Sequence, residues 1–280
     1  MNSLFNYQTL KTRLEKGTRS LVITLNGDRL NNSFSMEMLF ELESLLAWCT
    51  TRVEIHTILL QSSTNIFSDG YNQRVLKKLT IDKLQKFTRK LQLINQALMC
   101  LPQTVIIDMQ MGTQNIASEL AAACDIRVSN RSCEVSFEHS KLGLIPCSGG
   151  MIGLSHIVGH ANAKNWLLSA EAIPFRKLEA SGFVYDSYTM DTRDEVIQRI
   201  LTSISKQSPV QRIQTKLGVT ESIRHQMEGM LKFESQIANA AMVTEDWREE
   251  NDDNSMPAKS IKEAVKLSLV KNDNSEDLPN

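Results

Sequence analysis

His139 stands in a polar stretch, Phe137-Glu138-His139-Ser140, and imidazole is the side chain best suited to give and take a proton near neutral pH. Upstream of it, Asn115-Ile116-Ala117-Ser118-Glu119 has the spacing of a helix start, with Asn115 at the cap and Glu119 in the first turn, where a carboxylate complements the helix dipole. Acid and base are therefore the chemistry these residue types offer. Each also has an ordinary structural reading: His139 as a solvated loop side chain, Glu119 as a dipole partner, Asp69-Gly70 as a turn pair. Metal chemistry is not indicated. His156 and His160 lie four apart without a third ligand at metal spacing, and Gly159 ends their helix. The five cysteines (Cys49, Cys100, Cys124, Cys133, Cys147) are odd in number and mostly set among apolar residues, so they read as reduced core residues.

The elements that must position these groups follow from periodicity. Leu21–Leu25, Thr57–Leu60, Thr104–Ile107 and Ile126–Val128 are short β-rich runs separated by helical patterns, which argues an α/β class. Ser35 caps a helix with an apolar face of Met36, Leu39, Phe40, Leu42, Leu45, Leu46 and Cys49. A second helix follows Thr80, with Ile81, Leu84, Phe87, Leu91, Ile94 and Leu98 on one stripe, and stops before Pro102. From Gly149 onward helices succeed one another: 149–158, 161–169, 175–181, 194–205, and a pair opened by Ser208 and Pro209 that runs to about Ala241. The expected organisation is an α/β core over residues 1–200, a helical region over 201–250 and a polar, mobile tail over 251–280.

A chain of 280 residues with 41% hydrophobic content buries a sizeable core. Its 31 basic and 32 acidic side chains are interspersed, which argues against nucleic acid as a partner. No apolar run approaches the roughly 18 residues of a membrane span, and Met1-Asn2-Ser3-Leu4-Phe5-Asn6 does not open a signal peptide, so a cytoplasmic protein is expected.

Taken in order, several segments resemble the crotonase (enoyl-CoA hydratase/isomerase) superfamily over about residues 18–248. Phe67-Ser68-Asp69-Gly70-Tyr71-Asn72 is similar to the family's F-x-A-G-A-D, and Asn115-Ile116-Ala117-Ser118-Glu119-Leu120 through Cys124-Asp125 to its G-G-G-x-E-L-x-x-x-C-D. Leu21–Asn26 with Leu30-Asn31-Asn32-Ser33, Cys124-Asp125-Ile126-Arg127-Val128, Phe137 with Leu142–Pro146 and Gly149-Gly150, and Gly182-Phe183-Val184 match further stretches. The resemblance implies a spiral of ββα units with a helical C-terminal trimerisation region, and a homotrimer or hexamer.

It also implies a function: a divergent member acting on or binding an acyl-CoA or acyl-carrier thioester, as in fatty acid metabolism, through an oxyanion hole. If active, it would be a hydratase-type lyase or an isomerase. The alternative is a catalytically silent protein of this fold, serving as a thioester binder or as a subunit partner of an active relative. By resemblance the backbone N–H groups of Asp69 and Ile116 are the oxyanion donors, Glu119 is the general base and His139, four residues before Gly143, the partner acid or base. Arg29, Leu30, Gly70, Tyr71 and Asn72 would contact coenzyme A, and Lys77, Lys78, Lys86, Arg89 and Lys90 would supply charge for its phosphates. No cofactor beyond the thioester group is implied. The chain departs from the pattern at the glycine triplet, at the second glutamate and at the closing motif, where Glu249-Glu250-Asn251-Asp252 stands instead. Ile116 brings a β-branched side chain to a position where positive φ would make it an outlier.

Overall fold

Nearly continuous apolar runs make strands that are covered on both faces. Strands β1 (Leu10–Glu15), β2 (Ser20–Leu25), β3 (Thr57–Ser62), β4 (Thr104–Asp108), β6 (Ile126–Asn130) and β9 (Asp186–Tyr188) are joined in that order into a six-stranded sheet. The computed structural model describes residues 5–27 and 31–248. Strand β1 pairs antiparallel with β2 at one edge, and all other neighbours in this sheet are parallel. Because side chains alternate across a strand, Leu21, Ile23 and Leu25 enter the main core with helices α1 (Met36–Cys49) and α3 (Ile81–Cys100). Val22, Leu59, Ile106 and Val128 face the other way, against Ile197, Ile200, Leu201 and Ile204 of α7 (Arg193–Ser205).

Helix α7 is also fastened by charge. Asp108 at the end of β4 is buried and accepts from Tyr188 Oη and from Arg193 Nε at 2.8 Å. The Cys124-Asp125-Ile126-Arg127 stretch works likewise as a structural joint. Asp125 Oδ2 takes the Val105 N–H at 2.7 Å and the Lys216 ammonium at 2.7 Å, while Arg127 donates to the Cys124 and Phe183 carbonyls at 2.5 and 2.6 Å.

The two sequence-read helix starts are observed with their caps: Ser35 Oγ accepts from Met38 N at 3.1 Å, and Thr80 Oγ1 from Lys83 N at 3.3 Å. The stretches 149–158 and 161–169 are observed as the two helical halves of α5 (Gly150–Ser169), broken at Gly159, whose φ 77° and ψ 157° are not helical. Two expectations are corrected. Phe40 of α1 is 53% exposed rather than core, and Met38 takes its place inside. The pair opened by Pro209 is a single helix, α8 (Pro209–Met242), because its interior glycines, Gly218 and Gly229, sit in open space and break no packing.

A small second sheet carries the candidate residues: β5 (Gly112–Gln114), β7 (Glu134–Ser136) and β8 (Ile173–Pro174), with β5 parallel to β7. It leads directly into α4 (Ile116–Ala123) and into a 3-10 turn over Glu138–Leu142. The short α2 (Gln73–Leu76) follows the loop at Asp69, and α6 (Phe175–Ala180) follows β8. The loop containing Asp69 is zipped onto this sheet by a parallel bridge between Ser68 and Thr113, with Phe67 N donating to Gly112 O at 2.9 Å and Gln114 N to Ser68 O at 3.0 Å.

Gly70 is what lets the loop turn away again, at φ +77°, and a Cβ there would lie 2.6 Å from Gln114 O. Gly70→Ala is therefore expected to lose at least the ~1–2 kcal/mol of a left-handed residue, read as a lower urea midpoint with an unchanged slope. A midpoint equal to wild type would show that the loop relaxes freely at this point.

Candidate functional site

The two loops meet across a seam with no spare room. The Cβ that Gly70 lacks would stand 3.1 Å from Ile116 Cγ1 and 3.2 Å from Asn115 Cβ, so the side chains replacing the glycine triplet already fill that side. The positive φ falls on Asn115 (φ 52°, ψ −123°), and Ile116 begins the helix in ordinary helical geometry. Asn tolerates that region better than a β-branched residue does, which removes the strain expected at Ile116. Asn115 does not cap with its side chain. Its carbonyl accepts from Ser118 N at 3.0 Å and Glu119 N at 3.2 Å, while Nδ2 reaches across the seam to Asp69 O at 3.4 Å.

The amides divide clearly. Asp69 N donates to Asn31 O at 3.2 Å, and Gly70 N to Ser68 Oγ at 3.0 Å. Among the described residues, the N–H groups of Tyr71 and Ile116 are given to no acceptor. The loop's uncommitted donor thus lies two residues beyond Asp69. Ile116 keeps the uncommitted N–H of a first helical turn, where the dipole adds positive potential.

Glu119 and His139 are brought together. His139, expected in a solvated loop, is 1% exposed, and its Nε2 lies 2.8 Å from Glu119 Oε1. The other carboxylate oxygen accepts from Ser148 N at 2.8 Å and Gly150 N at 3.0 Å, at the N-terminus of α5. Burial alone would raise the Glu119 carboxyl, but the facing His139 and the Ser148 N–H hold it below the usual carboxylate range. Gly150 is required there because a Cβ would stand 2.6 Å from Glu119 Cγ. Glu138 faces outward and pairs with Lys141 at 2.9 Å.

A further carboxylate, not singled out in the sequence, shares this helix end. Glu234 of α8 is buried and accepts from Gly149 N at 2.7 Å and Met151 N at 3.1 Å. Burial, and then the nearby Glu119 charge, push its carboxyl up to about 8. The adjacent Gly149-Gly150 pair was the available signal that something packs tightly against this turn; nothing in α8 itself marks Glu234.

A cleft of about 740 Å³ opens between the N-terminal halves of α1 and α3 and the segment around α2. Gly27, Met36, Phe40, Tyr71, Asn72, Val75, Leu79 and Phe87 line it, with Lys83 and Lys86 beside them. Tyr71 and Asn72 of the expected coenzyme A contacts are thus on the cleft, whereas Gly70 does not line it and Arg29 and Leu30 lie outside the described residues. Asn72 also caps α2, its Oδ1 accepting from Val75 N at 3.1 Å. Of the candidate cations, Lys86 reaches the cleft and Lys90 instead pairs with Glu43 at 2.6 Å. Lys77 and Lys78 do not line it, and Arg89 borders shallower cavities on the α8 side of α3. Neither Glu119 nor His139 lines the cleft. A second depression, of about 720 Å³ at the end of α5, contains none of the candidate residues. Among the described residues, no helix is long and apolar enough to cross a membrane and no group of His, Cys, Asp and Glu is arranged to hold a metal ion.

A family model described as enoyl-CoA hydratase/isomerase matches residues 15–258. The short-chain-enoyl-CoA hydratase of Clostridium acetobutylicum is 23% identical over 241 residues, 84% of this chain and 91% of that protein. The trans-2-decenoyl-acyl-carrier-protein isomerase of Streptococcus mutans is 21% identical over 207 residues, 72% of this chain and 78% of that one. Among solved structures, the enoyl-CoA hydratase from Bacillus halodurans superposes with a TM-score of 0.80 at 18% identity, covering 86% of this chain and 98% of that chain. The fold is the crotonase fold, with its helical C-terminal region.

The two carboxylates at α5 give stability opposite pH dependences. Glu234, raised when folded to about 8, contributes stability that is present below its unfolded pKa of about 4.3 and lost as pH rises through the folded value. Glu119, lowered when folded, acts only on the acid side, where its contribution is lost as pH falls. The thermal midpoint is therefore expected to decline between about pH 5 and 8, and Glu234→Gln is expected to flatten that decline. An equally steep decline in the variant would place the titration on another group.

Proposed function

Because the chain belongs to the enoyl-CoA hydratase/isomerase family, we propose that it binds an acyl thioester, carried on coenzyme A or on an acyl-carrier protein, and does not hydrate it. The thioester lies in the cleft over Tyr71 and Asn72, whose apolar walls suit pantetheine and acyl carbons and whose Lys83 and Lys86 suit an anionic end. Of the two uncommitted N–H groups, that of Tyr71 belongs to the cleft lining and is the one offered to a carbonyl oxygen, whereas Ile116 is completely buried and off the lining.

One observation carries the negative half of this reading. Three of the roughly four acceptor positions of the Glu119 carboxylate are taken, one on Oε1 by His139 and both on Oε2 by the Ser148 and Gly150 amides, and the group does not line the cleft. A base that is to hold and deprotonate water needs a lone pair turned toward substrate. Here the carboxylate serves instead as the anion at a helix N-terminus. A second reading, hydration, is favoured by the 2.8 Å contact of His139 with Glu119, which is a competent proton-transfer pair if substrate reaches it. Assembly into a homotrimer or hexamer belongs to the same proposal, supported by the exposed apolar side chains Val210, Leu217, Val219 and Phe233 along α8.

Isothermal titration with coenzyme A thioesters, followed by a crotonyl-CoA hydration assay of wild type and Glu119→Gln, separates the readings. Binding is expected with no turnover above that of the variant. Turnover abolished by Glu119→Gln would establish the hydratase reading, and absence of binding would remove the thioester from both.

A further inference from the structure

Tyr71 stands where the cleft ends. Its ring is part of the lining and packs at a centroid distance of 5.8 Å on Phe87, another lining residue. On its far side are groups that do not line the cleft: its hydroxyl is near enough to Cys147 and Glu119 for both to act on it. The side chain therefore spans from the cleft to the buried polar cluster around Glu119. Cys147, 3% exposed, also borders a separate cavity of about 200 Å³ between α3 and α8, lined by Thr88, Gln92 and Ser235. Tyr71 lines only the first of these cavities and Cys147 only the second, which puts the partition between the two at this pair.

The partition is held by packing and not by polar bonds. Tyr71 is 5% exposed, and its hydroxyl makes no hydrogen bond of ordinary geometry among the described residues. The polar group the hydroxyl faces is the Cys147 thiol, a weak partner that does not fix the ring. The ring's apolar contact with Phe87 does.

We infer that Tyr71 is the floor of the cleft and its specificity-determining residue: the ring, not the hydroxyl, stops an acyl chain from running inward past Cys147 and keeps it from the Glu119–His139 pair. The part concerning acyl chains rests on the thioester reading given above; the partition itself does not. The class of ligand it selects is a thioester whose acyl group is accommodated in the outer cleft between α1 and α3.

The test begins without any thioester. Wild type, Tyr71→Ala and Tyr71→Phe are treated with methyl methanethiosulfonate, and modification of each cysteine is followed by peptide mass. Cys147 is expected to react at least about tenfold faster in Tyr71→Ala, because opening the partition removes the wall over a group now 3% exposed, while Cys49, Cys124 and Cys133 stay slow and report an intact fold. Tyr71→Phe is expected to keep Cys147 protected, since it removes only the hydroxyl and leaves the ring in place. Equal Cys147 labelling in folded Tyr71→Ala and wild type would overturn the inference, as would rapid labelling in Tyr71→Phe. Titration with thioesters of increasing chain length then tests selection. Wild-type affinity is expected to level off with length, and Tyr71→Ala to gain about fourfold per further buried methylene. Parallel length dependences would overturn the selectivity. Failure of wild type to bind any thioester, with Cys147 still exposed by Tyr71→Ala, would sink the thioester reading and leave the partition standing.

Discussion

The N-terminus of α5 presents four backbone N–H groups, those of Ser148, Gly149, Gly150 and Met151, to two buried carboxylates, Glu119 and Glu234. A helix N-terminus attracts anions because its first amides have no partner and its dipole is positive there. Here the two carboxyl groups come from α4 and α8, so three helices converge on one turn. Helix α3 joins them: Gln92 donates to the Cys147 and Leu231 carbonyls at 3.3 and 3.0 Å, and Asn95 to the Ser148 carbonyl at 3.0 Å. Removing either carboxylate would leave buried amides unpaired and would loosen the seating of α8 on the α/β layers.

That arrangement withdraws from chemistry what it gives to structure. Two carboxylates near one another cannot both ionise cheaply, and the conflict is resolved by asymmetry. His139 faces Glu119 and keeps it low, whereas burial and then the Glu119 charge push Glu234 up. Glu119 is thereby ionised, as a general base must be, but its charge is spent on His139 and on the amides of α5. Catalysis needs the opposite: a carboxylate whose partners leave one lone pair pointing at the reacting atom. The same residue types in the same order thus support a joint as readily as a catalyst.

How much was legible follows from what each feature depends on. The helices capped by Ser35 and Thr80 are set by local side chain to backbone bonds and a long apolar stripe, and both are visible in the sequence. The strands buried on both faces announce themselves as apolar runs. Strands β5, β7, β8 and β9 have two or three residues each, too few for any period to show. The Glu119–His139 contact joins a helix to a separate 3-10 turn, and only the packing of the small sheet brings them together. Glu234 is hidden more completely, since a glutamate on a long polar helix reads as solvated until the facing Gly149 and Gly150 amides are known. The Asp69 amide illustrates the converse: a motif located the loop, but the acceptor at Asn31 decides which N–H groups are left over.

Several of the departures from the family pattern lie together. Asn115 and Ile116 pack against Gly70, Asn115 reaches the Asp69 carbonyl, and Tyr71 leans on Phe87, so these altered residues form one unit. Repacking for stability alone would be expected to leave that unit apolar or fully paired. It is not: Tyr71 Oη, Asn115 Oδ1 and His139 Nδ1 are all buried and make no hydrogen bond among the described residues. Buried polar atoms without partners are costly, so each of these three asks for a reason other than packing. Ile116 and Ala117, completely buried, show that the same site has been filled where apolar contact suffices. On the reading proposed above, unpaired polar atoms beside a filled seam serve the holding of a ligand rather than its turnover.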